Sequence, residues 1–268
     1  MIAVRYSDGM RTGRLKSAIG AGVVAGLAIA MVPAMVGAKA DKACGPMRYM
    51  DNNYTVCQFD VRRERIELFW RDGGKEAFGS FRRLRMHLAD QGKELSFAMN
   101  AGMYNDKLAP IGLYVEGSKS LKTANQRDGP GNFHLKPNGV FYMAGGKAGV
   151  AETGAFTRSG IKPRIASQSG PMLVINGKLH PRFLEDSTSR KRRNGVGVKD
   201  GGNTVIFVIS EDFVTFHQFG SLFRDQLKTP NALFFDGTIS SLYAPELSRA
   251  DWGRPMGPIV GVVRDSKK

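Results

Sequence analysis

Beyond residue 40, apolar residues in this chain come in short runs that never grow long. "YTVCQFD" (54–60), "RIELFWRD" (65–72), "ELSFAMN" (94–100), "GVFYMAG" (139–145), "PMLVING" (171–177), "NTVIFVIS" (203–210), "NALFFD" (231–236) and "PIVGVVR" (258–264) each end within eight residues. "IGLYVEG" and "GVGVKD" are weaker versions of the same pattern. Glycine, asparagine or aspartate punctuates most of them. Within 65–70, Ile66, Leu68 and Trp70 alternate with Arg65, Glu67 and Phe69, the period of a strand with one buried face. Only residues 80–92 and 213–227 place apolar side chains at helical spacing. Phe81, Leu84 and Leu88 form one stripe; Phe216, Phe219, Leu222, Phe223 and Leu227 form the other. Gly92 is read as the end of the first helix, and Ser210 or Asp212 as the cap of the second. Strands therefore outnumber helices. The pattern predicts an α/β or α+β fold: a single domain with a large mixed β-sheet and a few packed helices.

The first forty residues have a different character. Arg11, Arg14 and Lys16 precede a charge-free run over 18–36, and Ala38-Lys39-Ala40 offers a small-x-small exit. A basic start, an apolar middle and a small-residue exit describe a secretory signal peptide, cleaved after Ala38 or Ala40. An uncleaved anchor is the alternative, because the run approaches the length that spans a bilayer. Membrane association is expected only through that segment. The protein is accordingly expected to be exported, periplasmic or extracellular. The only two cysteines, Cys44 and Cys57, follow directly, and in an exported chain they are expected to form one disulfide across the turn-like 51–53. The predicted organisation is a signal peptide over 1–40, a disulfide-bearing segment over 41–56 and one domain over 57–265.

The formal net charge is +15. Such a surface attracts phosphates, anionic glycans, lipid surfaces or nucleic acid. No nucleic-acid motif is present, and export argues against that partner. The arginine clusters at 62–65, 82–85 and 190–193 read first as solvated faces. Two cysteines cannot make a structural zinc site, and no paired-histidine spacing, nucleophile elbow or Walker loop occurs.

Polar residues gather where the apolar runs end. "NAGMY" places Asn100 and Tyr104 around Gly102, where the chain admits a ligand or another backbone. In "SQSGPMLVINGKLHP", Gln168, Ser169 and Gly170 precede an apolar run, and His180 follows its Asn176-Gly177 turn. The polar groups there bind sugar hydroxyls or fasten the turn. In "RNGVGV", Arg193 abuts an apolar run and requires an anion, whether a structural carboxylate or a phosphate held by its planar fork. Gly195 and Gly197 leave room for close backbone contact. "NALFFDGTISSLYAP" carries Asp236, Gly237, Ser240 and Ser241. An acid at that point acts as general acid or base, as metal ligand, or as part of a capped turn.

Taken in order, "NAGMY", "QSGPMLVINGKLHP", "RNGVGV" and "ALFFDGTISSLYAP", with "PNGVFYM" and "GPIVGVV", resemble the phosphodiester glycosidase family over roughly 57–263. The resemblance implies a hydrolase that releases a sugar from a sugar-1-phosphodiester, in a bacterial exported branch of undefined substrate. The expected partner is a phosphorylated glycan of the envelope or outside it. Its polar positions fall on Asn100, Arg193, Asp236, Ser240 and Ser241. Thr238 and Ile239 stand where glycines are common, so the turn and the sugar pocket are expected to differ in shape. Arg193 would hold phosphate, Asp236 would activate water or steady the sugar carbon, and Asn100 and Gln168 would orient the substrate. A divalent cation beside Asp236 is compatible with this chemistry, though no motif demands one. Glu116, Glu152 and Asp186 are unranked as a second acid. The alternative is a noncatalytic envelope protein that binds glycan or assists exopolysaccharide assembly.

Overall fold

The computed structural model describes residues 42–266 except Lys75 and Thr238. The predicted signal segment over 1–40 lies outside the described residues. No helix among the described residues is long and apolar enough to cross a membrane.

The strands divide among three sheets. The first has seven strands, in the order β1 (Cys44–Tyr49), β2 (Asn52–Asp60), β13 (Thr204–Ser210), β12 (Asn194–Lys199), β14 (Asn231–Asp236), β10 (Met172–Ile175) and β11 (Lys178–Leu179). The second runs β16 (Arg249–Ala250), β15 (Leu242–Ala244), β4 (Lys93–Asn100), β17 (Ile259–Asp265), β3 (Arg65–Phe69). The third runs β6 (Lys119–Lys122), β5 (Tyr114–Glu116), β9 (Ile165–Ser169), β7 (Gly139–Ala144), β8 (Lys147–Glu152). Every ladder is antiparallel. The α+β class is thus the one realised, with its strand content in three antiparallel sheets. β9, "IASQS", gives no strand signal in sequence because its second half is polar, yet all five residues are buried.

The sheets meet at phenylalanines. Phe59 and Phe207 come from the first sheet, Phe97 from the second and Phe141 from the third. The Phe97 ring lies 4.9 Å from Phe59 and 5.0 Å from Phe207, and Phe141 lies 5.9 Å from Phe207. All four are buried, and each contributes roughly 1.5–3 kcal/mol by leaving water. A second apolar layer covers the other face of the seven-stranded sheet. There Leu173, Phe219, Leu222, Phe223 and Phe234 pack together.

Among the described residues three short α-helices complete the fold. α1 (Phe81–Ala89) buries Phe81, Leu84 and Leu88, the stripe read from sequence, and Ser80 caps it by accepting from the Arg83 amide. α2 (Thr153–Arg158) is too short to show a period, and Glu152 caps it. α3 (Phe216–Ser221) starts later than expected. Its cap is Thr215, in a reciprocal box with Gln218, and it continues as a π-helical turn over Leu222–Gln226. Ser210 and Asp212 are engaged elsewhere: Ser210 accepts from the Arg193 amide and Asp212 from the Asn53 amide.

β1 and β2 form a hairpin at the sheet edge, so residues before 57 are built into the first sheet. Its turn is Met50-Asp51, both at positive φ (45° and 57°), as a two-residue hairpin turn of matching twist requires. Cys44 and Cys57 face each other across the pair and form the expected disulfide. Replacing both with alanine is expected to cost about 2–3 kcal/mol through the freed unfolded chain. Urea unfolding with and without reductant measures this: reductant lowers the wild-type midpoint and leaves the double variant unchanged.

Candidate functional site

β14 is an interior strand, and at its end the chain leaves the first sheet, turns through 237–241 and enters β15 of the second. Two asparagines hold this crossing. Asn100, at the end of β4, and Asn194, at the start of β12, are both fully buried. The Asn194 Nδ2 donates to Asn100 Oδ1 (3.0 Å) and to the Asn100 carbonyl (2.9 Å), while Asn100 Nδ2 donates to Asn194 Oδ1 (3.3 Å). The same two oxygens then accept the backbone amides of the crossing: Ser241 N to Asn100 Oδ1 and Asp236 N to Asn194 Oδ1, each 3.0 Å. Asn100, predicted to face substrate, is spent on this clasp. Asn194 went unremarked in the sequence beside its charged neighbour.

The register of β12 against β14 slips just here. Asn194 pairs with Asp236, but Gly195 pairs with Phe234, so β14 carries one extra residue. A bulge of this kind bends the strand and re-aims the side chain beyond it. Ser240 adds a hydroxyl bond to the Asp236 carbonyl (3.1 Å), and the Gly237 amide donates to Asp236 Oδ1 (2.6 Å). Gly237, Ser240 and Ser241 in this turn have no positive φ. Thr238 lies outside the described residues.

Arg193 is 1% exposed. Its Nε donates to the Val214 carbonyl (2.9 Å) and its Nη2 to the Ser189 carbonyl (3.0 Å). The guanidinium lies 3.6 Å above the Phe216 ring centroid. Phe216 stacks on Phe183 at 5.0 Å, and Phe183 on His180 at 4.8 Å. Among the described residues no carboxylate pairs with Arg193, and its Nη1 has no hydrogen-bond partner. Burial pushes its pKa down to about 10. A buried cation without a counter-charge is costly, and an anionic ligand would supply the missing partner. Of the five guanidinium donors, three remain at Nη1 and Nη2.

Arg193 and Asp236 line one cleft of about 700 Å³. Tyr104, Lys191, Arg254 and His134 also border it. Tyr104 donates to the Pro255 carbonyl (3.0 Å), and burial, then the charge of Asp236, raises its pKa. The His134 Nδ1 lies 3.0 Å from the Arg127 carbonyl, which sets that nitrogen as the donor and leaves Nε2 as the basic one. Neither His134 nor Asp106, a second acid of the cleft, stood out in sequence. Among the described residues no three His, Cys, Asp or Glu side chains group for a metal ion.

The other predicted residues lie beneath or beside the cleft. Gln168 spends its whole amide on scaffold: Oε1 accepts from Leu113 N and Asn125 N, and Nε2 donates to Asn125 O and Thr153 Oγ1. It fastens the 111–125 loop and has no donor or acceptor to spare for sugar. Ser169 donates to the Phe235 carbonyl. Gly170 is a packing position, where a Cβ would meet Asn138 at 2.6 Å. His180 is buried under Phe183, with its pKa lowered by burial, and reaches Arg193 only through the ring stack. Gly195 and Gly197 admit the Leu233 carbonyl and Thr229, not a ligand. Gly102 (φ 140°) admits β9, with Ser167 Oγ 2.9 Å from a would-be Cβ. Gly237 lines the cleft, whereas Ser241 faces a neighbouring one. Glu116 accepts from Tyr114 and Trp70, Glu152 caps α2, and Asp186 is exposed. None of these three acids borders the Arg193–Asp236 cleft.

Residues 93–263 match the family model described as phosphodiester glycosidase. Over 217 residues the chain is 36% identical to the uncharacterized protein YigE of Escherichia coli (strain K12), covering 81% of this chain and 83% of that protein. Among solved structures, the catalytic domain of zebrafish N-acetylglucosamine-1-phosphodiester alpha-N-acetylglucosaminidase, auto-inhibited by its pro-peptide, aligns with a TM-score of 0.56. The alignment covers 82% of this chain and 81% of that one at 11% identity, a likeness of fold.

The clasp makes a direct prediction. Asn100→Ala or Asn194→Ala each leave the partner amide and a backbone N–H buried and unbonded, at roughly 2–4 kcal/mol. The double variant is expected to cost less than the sum by about 1–3 kcal/mol. Urea unfolding of the four proteins measures the coupling; additive losses would show that the two amides do not act as a unit.

Proposed function

The chain belongs to the phosphodiester glycosidase family, and from that premise we propose that it hydrolyses a sugar-1-phosphodiester in the Arg193–Asp236 cleft. One observation carries the reading: a fully buried arginine, with no carboxylate partner among the described residues, shares a cleft with a half-buried aspartate. The arginine supplies fixed positive charge where a phosphate would sit. The low dielectric that lowers its pKa also strengthens its pull on an anion. Lys191 and Arg254 at the rim add exposed positive charge that favours entry of an anionic substrate.

Asp236 activates water or steadies the developing charge at the anomeric carbon. Breaking the carbon–oxygen bond sends the electron pair to the phosphate oxygen, where positive charge stabilises it, and water supplies the new oxygen on the sugar. His134 is the group placed to exchange a proton at the rim, in the role left open for a second acid. Asn100 contributes by holding the Ser241 amide and the Asn194 side chain, and so the backbone that carries Asp236. Gln168 contributes by fixing the loop behind the cleft wall. A divalent ion near Asp236 would find one carboxylate and neighbouring carbonyl groups, and no step here needs it. The substrate is proposed as a phosphorylated glycan of the envelope or beyond, met after export to the periplasm or outside. The Cys44–Cys57 disulfide suits such an oxidising compartment.

The test uses an activated sugar-1-phosphodiester. Asp236→Asn and Arg193→Ala are each expected to lower kcat/KM by about 10²–10³; turnover equal to wild type in both would remove this assignment. In oxygen-18 water the label is expected in the sugar, and label in the phosphate would overturn cleavage at carbon. Arginine is cationic below its pKa, so kcat/KM is expected to fall as pH rises through about 10. A profile with no fall between about pH 8 and 11 would argue that Arg193 charge is not used.

A further inference from the structure

α1 carries two stripes of opposite character. Phe81, Leu84 and Leu88 pack into the fold. Arg82, Arg85, Met86 and Ala89 follow the spacing i, i+3, i+4 and i+7, which sets them along one line on the outer side. All four are exposed, and Met86, at 59%, is the most exposed methionine among the described residues. The stripe borders a groove of about 670 Å³, which Tyr243 of β15 and Lys93 and Glu94 of β4 also border. This groove shares no residue with the Arg193–Asp236 cleft.

The cations of this face are unequally committed. Arg83, on the flank of the helix, is held by Asp72 and Glu76. Arg82, Arg85 and Lys93 are in no ion pair among the described residues. The Arg85 guanidinium lies 5.2 Å from the Tyr243 ring centroid, and Lys93 donates to the Gln91 amide oxygen (3.3 Å). Neither contact neutralises the charge. The one acid at the groove, Glu94, also acts on Arg264. The first turn of α1 holds no acid, so nothing there offsets the positive end of the helix. A small anion is best held by donors that converge. Here the cations are strung along a helix with an exposed thioether between them. That layout fits an extended negative surface with an apolar layer beneath it. A second observation brings such a surface to the same place. The Ala43 and Cys44 amides donate to the Glu246 carboxylate (3.3 and 2.6 Å). Glu246 lies in the turn that directly follows β15, the strand of Tyr243. Upstream in the sequence is the charge-free run over 18–36, joined to Lys42 by residues 37–41. That link reaches at most about 22 Å. A bilayer that held the run, before cleavage or without it, would be kept close to this face.

We propose that the outer face of α1, with Arg82, Arg85, Met86 and Lys93, docks on an anionic lipid surface. The cations meet lipid phosphates, and Met86 enters the interface between them. The proposal does not depend on the cleavage reading and is tested without turnover.

The test mixes the full chain with vesicles of phosphatidylcholine alone or with added phosphatidylglycerol. Arg82→Glu/Lys93→Glu is expected to lower partition onto the anionic vesicles by about thirtyfold. Lys119→Glu/Lys122→Glu makes the same change of net charge at two exposed positions of β6, in the third sheet, and is expected to lower it far less. Every variant keeps the run over 18–36, so its own share of binding cancels in the comparison. Matching melting midpoints check that each variant is folded. An environment-sensitive dye on Met86→Cys is expected to shift to the blue on anionic vesicles, and the same dye on Leu121→Cys of β6 to stay unchanged. Equal losses in the two charge pairs, or no shift at position 86, would overturn the proposal. So would dextran sulfate binding that only Arg82→Glu/Lys93→Glu removes while vesicle binding is unaltered, which would make the occupant a soluble polyanion.

Discussion

Two buried side-chain amides hold this protein's site in place. Asn100 belongs to one sheet and Asn194 to another, and each satisfies the other while also taking a backbone N–H from the segment that passes between the sheets. Buried amides without partners are expensive, so this arrangement has little freedom. Moving either asparagine strands the other, together with Asp236 N or Ser241 N. The bulge opposite Asn194 follows from the same geometry, because β14 needs one more residue than β12 to bring the Asp236 amide to the Asn194 oxygen. The position of the Asp236 carboxylate is thus set by a hydrogen-bonded junction, and the turn beyond it inherits its shape from that junction.

Arg193 sits one residue before the clasp, and its burial follows from the same strand. Asn194 turns into the junction between sheets, so its neighbour must face the other side, where α3 and Phe216 cover the seven-stranded sheet. The guanidinium is held by two carbonyls and an aromatic face, none of which neutralises it. His180 and Phe183 extend that aromatic stack. They support the arginine from behind and do not border the cleft.

Many of the strands were legible in the sequence because strand faces repeat every two residues and glycine or asparagine marks their ends. The disulfide followed from cysteine count and compartment. The cleft residues Asp236, Arg193 and Tyr104 stood out because polar groups at the ends of apolar runs need partners. What stayed hidden was which partners they find. Asn100 bonds to a residue 94 positions away, and no local pattern encodes that. Gln168 looked like a ligand for sugar because a polar residue in an apolar setting signals either binding or bracing, and only the positions of Leu113 and Asn125 decide between them. β9 escaped notice for the same reason, since its serines and glutamine are buried with all their bonds made internally. His134 and Asp106 sit on loops without periodicity, so sequence gave no cue that both border the cleft.

The uncompensated charge links stability to binding. Below pH about 10 Arg193 is charged in the folded chain and in the unfolded one, but only the folded chain keeps that charge away from water. Its lowered pKa means that the folded state holds this proton less tightly, so the charged form counts against folding until pH rises through that value. An anion in the cleft reverses the sign of this contribution: it favours the charged form and raises the pKa back toward the arginine norm. A phosphate that bound only the folded chain would stabilise it by RT ln(1 + [L]/Kd), so its effect on stability would report its affinity for the site. A surface arginine would hold phosphate at little cost to folding, but solvent would screen its charge. Burial makes the unliganded protein less stable and makes the same charge stronger toward an anion in the cleft.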